Sequence, residues 1–162
     1  MIGLAPVHPD YSIAAEVDQL TPEFPILAVN DRGAVIGHEG ADDLGRCSLV
    51  GLCQGKYERM RYYDAKGVLW SASVVKAPFK ASIWTKILGQ IYNPWFTVDL
   101  GWKDERTYEF PELQDDICMC VDMDDDILTQ FIEADKLKKL IREASNFHHL
   151  FNRMKKMKLV CR

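Results

Sequence analysis

The stretch from Asp116 to Asp126, DICMCVDMDDD, sets two cysteines one residue apart among five aspartates. Thiols and carboxylates this close could hold a metal ion or act as a reactive pair. A structural zinc site needs four nitrogen or sulfur ligands, usually from two separated pairs. No second Cys-x-Cys or Cys-x-x-Cys occurs in the chain. DMDDD also lacks the alternating acids, central glycine and distal glutamate of a calcium loop. A disulfide between near neighbours on one extended strand would be strained, because disulfide geometry is demanding. Parity offers a plainer reading. Ile117, Met119, Val121 and Met123 alternate with Cys118, Cys120, Asp122 and Asp124, as in a half-buried strand. Asp124 to Asp126 would then start a helix, where carboxylates satisfy free amides and complement the dipole. No metal and no other cofactor is expected.

The remaining nucleophiles and bases are Cys47, Cys53 and Cys161 with His8, His38, His148 and His149. A Cys-His hydrolase could use Cys47 or Cys53, yet GRCSLVGLCQG carries neither a nucleophile elbow nor a protease signature. His148 falls on the apolar stripe of the last helix and is expected to be packed, with His149 exposed. The glycine-punctuated DRGAVIGHEG and GRCSLVGLCQG lack G-x-G-x-x-G and a Walker lysine-serine pair, so turn duty is expected. The chain is therefore read as a non-enzyme, the alternative being an enzyme with a Cys/His active site.

The elements that would position these residues follow from local pattern. Residues 1–25 hold four prolines and read as an arm, with SIAAEVDQL as a short helix capped by Ser12. FPILAVNDRGAVIG reads as a hairpin, and YERMRYYDAKGVLWSASVVKAP as a second, turning at DAKG. CSLVGLC would be a short strand. SIWTKILGQIY, with Ile83, Ile87 and Ile91 four apart, suggests a short amphipathic helix or a long loop. PWFTVDLGWKD and RTYEFPEL would be two further strands. From Asp124 the period is helical, with one stripe at Leu128, Phe131 and Ile132 and another from Leu137 to Met154. The stripes lie about 180° apart at 100° per residue, which predicts a break near Glu133–Asp135, with Asp135 as a cap. A further interruption is read at Ser145–Asn146. The fold class is α+β: a mostly antiparallel sheet of about five to seven strands with C-terminal helices packed against it. A single domain over 1–162 is expected, with an arm at 1–25, a mainly β region at 26–123 and a helical region at 124–158.

The chain has 162 residues and a formal net charge of −4. It is long enough for a core without a disulfide or zinc staple, and its overall charge does not suit a nucleic-acid binder. The odd set of five cysteines reads as free thiols in a reducing cytoplasm. No basic-then-apolar leader and no membrane-length apolar run is found. Charge is segregated: Asp104 to Asp135 holds twelve acids and one base, and Lys136 to Arg162 nine bases and one acid. The two segments could neutralise each other, or the acidic one could meet a basic partner. The basic C-terminal helix, Lys136 to Lys158, leaves a nucleic-acid-binding module as a further alternative. Of the four tryptophans, all in the central region, most are expected in the core. At NPWF, Trp95 or Phe96 could be an exposed anchor.

The order YDAKGVLW, WFTVDLGW, DMDDDILTQFI and then a basic amphipathic helix resembles the small immunity proteins of bacterial polymorphic toxin and contact-dependent growth inhibition systems. The resemblance spans roughly Arg59 to Met154. It implies a non-catalytic cytoplasmic protein that binds a cognate toxin domain, often a nuclease, and occludes its active site or substrate cleft. It carries over no family-wide binding residues. From charge and exposure, the expected contact residues are Glu109, Glu112, Asp115, Asp116, Asp122, Asp124, Asp125 and Asp126, with Trp95 and Phe96 as aromatic anchors. A protein partner is expected, with no nucleic acid and no membrane.

Overall fold

A computed structural model describes residues 20–123, 128–129 and 132–158. The Ser12-capped helix, Phe131 and Asp124 to Asp126 lie outside them. Two hairpins begin the sheet, as their turn chemistry predicts. Strand β1 (Ile26–Asn30) returns as β2 (Val35–His38), and Gly33 supplies the positive φ of the turn. Strand β4 (Met60–Asp64) returns as β5 (Val68–Lys76). Asp64 closes this turn: one carboxylate oxygen accepts from the Lys66 and Val68 amides at 2.9 and 2.8 Å, the other from the Trp70 indole at 2.9 Å. With β7 (Asp99–Thr107) these strands form an antiparallel sheet in the order β2-β1-β4-β5-β7. A small second sheet pairs β3 (Arg46–Ser48) with β6 (Trp95–Thr97).

The central strands β1 and β4 are buried on both faces, which is why β1 reads as a continuous apolar run and β4 holds two adjacent buried tyrosines, while β7 at the edge is largely exposed. On one face Leu27, Val29, Tyr63 and Leu69 meet the helices α4 (Phe110–Met123), α5 (Ala134–Arg142) and α6 (Phe147–Lys156). On the other, Ile26, Ala28, Tyr62 and Trp70 meet Leu44, Cys47, Tyr57 and Val98. These last four lie in or beside the short helices α1 (Ala41–Leu44) and α2 (Leu49–Cys53) and the small sheet. The helix α3 (Ile83–Ile91) packs on α2. The α+β class holds, with C-terminal helices against an antiparallel sheet.

Several local expectations are corrected. DICMCVDM is the second half of helix α4, not a strand. Leu113, Ile117, Cys120 and Val121 form its buried stripe, while Met119 and Met123, from the apolar parity of the strand reading, are exposed. The helix starts in EFPEL, read above as a strand, and Pro111 sits in its first turn, where a missing amide costs nothing. The helical region therefore begins well before 124, and the region 26–123 also carries α1, α2 and α3. CSLVGLC divides into β3 and α2, with Ser48 accepting from the Gly51 amide at 3.1 Å as the cap. WKDERT runs through one strand, β7, rather than joining two. The break near residue 133 is present, but Glu133, not Asp135, is the N-cap of α5, without a side-chain bond. The second interruption is also present, with Asn146 accepting from the His149 amide at 2.9 Å. On α6 the buried stripe is Phe147, Leu150, Phe151 and Met154; His148 is exposed, and His149 is half-buried against Ser145 and Arg153.

Candidate binding surface

The acids of α4 are engaged inside the molecule. Asp116 is 7% exposed; it accepts from the Tyr63 hydroxyl and pairs with Arg61 at 2.9 Å. Asp115 pairs with Arg142 and Asp122 with Lys138, which ties α4 to an antiparallel α5. Glu112 is held by both terminal nitrogens of Arg106, and that bonding lowers its pKa. Gln114 adds a buried contact, donating to the Ile141 carbonyl at 2.7 Å and to those of Arg142 and Ala144 at 3.2 Å. Among the expected acidic contacts that are described, Glu109 alone has no side-chain ion pair with a described residue. The basic segment is drawn in as well: Lys155 pairs with Glu39, and Arg153 lies 3.8 Å from Glu143. Charge segregated along the sequence becomes charge paired across the fold.

The two aromatic anchors part company. Trp95 is 61% exposed, with the Arg46 guanidinium 5.5 Å from its ring centre. Phe96, next along β6, packs on the Tyr62, Trp70 and Val98 side of the core and lies 5.2 Å from the Phe79 ring. Of the other tryptophans only Trp70 is buried; Trp102 is half-buried and Trp84 is 80% exposed.

Trp84 belongs to a surface missed in the sequence. The α3 stripe is present, but it points outward. Ile83, Trp84 and Ile91 are 77, 80 and 84% exposed, and Ile87 and Leu88 are also exposed. The side facing the protein is small: Thr85 Oγ1 lies 3.6 Å from Cys53 Sγ, and a Cβ on Gly89 would stand 3.2 Å from Val50 Cγ2. The helix is firmly placed. Ser82 and Thr85 form a capping box, and the Leu49 and Val50 amides bond to Pro94 O and Asn93 Oδ1 just beyond its end. Beside its start a cleft of about 620 Å³ is lined by Leu52, Glu58, Val75, Lys76, Phe79 and Lys80, among others. A second cleft, of about 710 Å³, lies between Phe24, Leu44 and Trp102, with Asp42 and Asp99 at its walls.

Cys47 and Cys118 are poorly placed for catalysis. Burial raises the pKa of Cys47 and of Cys118, whereas a nucleophilic thiol needs a lowered one. Cys118 lies toward Arg142 and Lys138, while Cys120 lies 3.7 Å from Asn30 O in the first hairpin. On a helix two such residues diverge by about 200°, so they do not form a dithiol. No group of three or more His, Cys, Asp or Glu among the described residues is arranged to hold a metal. None of the described helices is long and apolar enough to cross a membrane. Comparison with known protein families, with characterised proteins and with solved structures gives no match for this chain.

Proposed function

We propose that this chain is a non-catalytic protein-binding module whose contact surface is the outward face of α3 together with Trp95. In the cytoplasm it neutralises a cognate toxin by occluding the toxin's active site or substrate cleft. One observation carries the binding reading: an amphipathic helix docked by its small side, with its large apolar side chains turned to solvent. Such a face, with an exposed tryptophan four residues beyond the helix, has the composition of a binding hot spot. The toxin itself comes from the resemblance in sequence layout. The idea of a nuclease leaned on an acidic face, and the internal pairing of Asp115, Asp116 and Asp122 weakens that argument.

The test is co-expression with a toxin-like domain, sought first in the reading frames beside this gene. The wild-type chain is expected to restore growth. An Ile83→Ser/Trp84→Ser/Ile87→Ser variant is expected to fold normally, since these side chains are exposed, but to lose protection. No protection by the wild-type chain would remove the toxin reading. Full protection by the variant would remove the α3 surface.

A further inference from the structure

The charge around α3 says what kind of segment covers it. From Ala65 to Val98 the chain carries Lys66, Lys76, Lys80 and Lys86 and no acid. Lys66 pairs with Glu23 at 2.5 Å, but Lys76, Lys80 and Lys86 make no ion pair with a described residue. Two of these three line the cleft beside α3. Glu58 is the carboxylate in that cleft, and one of its oxygens accepts from the Val74 amide at 3.3 Å. In a molecule of net charge −4, this is an apolar face set among cations with no counter-charge among the described residues.

Building on the binding reading above, we propose that the face receives an acidic amphipathic segment of a partner protein. Its apolar side chains would cover Trp84, Ile87 and Ile91 and enter the cleft, while its carboxylates meet Lys76, Lys80 and Lys86. Grooves and helix faces of this kind take a partner helix through apolar residues at helical spacing. Because α3 is capped and anchored at both ends, little ordering is left to oppose binding. A second copy of this chain fits less well. A twofold contact through α3 would set the same lysines against each other, and the α4 carboxylates of the second copy are already paired. A lipid surface fits less well too, since it offers no protruding group for the cleft.

The test is a displayed library of helical peptides selected on the full-length protein and counter-selected on its Trp84→Ser variant. Enriched peptides are expected to carry apolar residues at helical spacing and net negative charge. A synthetic copy should bind about tenfold more weakly to a Lys80→Glu/Lys86→Glu variant, with the loss shrinking at high salt. Trp84-dependent peptides that are neutral or basic would overturn the acidic segment and leave the docking face standing. No Trp84-dependent peptide at all would overturn both. So would Trp84-dependent binding confined to vesicles of phosphatidylglycerol, or Trp84-dependent self-association in sedimentation.

Discussion

Asp116 and His38 are both buried polar side chains, and the fold treats them oppositely. Asp116 keeps a hydroxyl and a guanidinium beside it, so its charge is matched where it sits. His38, 4% exposed on β2, has Nδ1 without a hydrogen-bond partner among the described residues. Burial, and then the nearby Lys56 charge, lower its pKa from 6.5 to about 4. The neutral ring is therefore favoured in the folded protein. As pH falls below 6.5 the unfolded chain takes up a proton that the folded chain refuses until about pH 4. This contribution is intact at neutral pH and is lost through that window, reaching ~3 kcal/mol at its foot. Urea midpoints measured across the window should fall steeply for the wild type and less steeply for His38→Gln. Parallel slopes for the two proteins would show that another group governs the loss. Tyr57, whose hydroxyl faces the Cys47 thiol, is kept protonated by burial and adds no titration there.

At the level of elements, the C-terminal end of α5 depends on a side chain from another helix. The last carbonyls of a helix have no partner within it, and here Gln114 of α4 donates to those of Ile141 and Arg142, and to the Ala144 carbonyl just past the end. Gln114→Leu should cost about 1–2 kcal/mol in urea unfolding, and amide exchange at Glu143 and Ala144 should quicken before that at Leu137. Unchanged exchange at those two amides would mean that the end is held by packing alone. The pairing of Gln114 with α5 was not legible in the sequence, because it joins residues far apart in the chain. The hairpins were legible, since NDRG and DAKG specify their turns locally. Helix α4 was misread for a different reason. Met119 and Met123 make an alternating pattern with the cysteines, but the burial that matters follows Leu113, Ile117, Cys120 and Val121. The α3 stripe was correctly periodic, yet period does not say which side is buried. Thr85 and Gly89 decided that by letting the helix approach α2 closely.

Across the whole molecule, charges fall into two sets that composition alone cannot separate. One set links elements: Asp115 with Arg142 and Asp122 with Lys138 join α4 to α5, and Lys155 with Glu39 joins α6 to the loop after β2. The other set, Lys76, Lys80 and Lys86, has no described counter-charge. Surface pairs contribute modestly and are screened by salt, but several joining the same two helices act together. Reversing the first set with Lys138→Glu/Arg142→Glu places like charges opposite Asp122 and Asp115. The urea midpoint should drop at low salt and partly recover in high salt. Reversing the second set with Lys76→Glu/Lys80→Glu/Lys86→Glu should lower the midpoint much less, because no described pair is broken and the new carboxylates meet only Glu58 in the cleft. A comparable drop from both reversals would mean that the lysines around α3 serve the fold, and the surface they surround would then lose its claim to a partner's carboxylates.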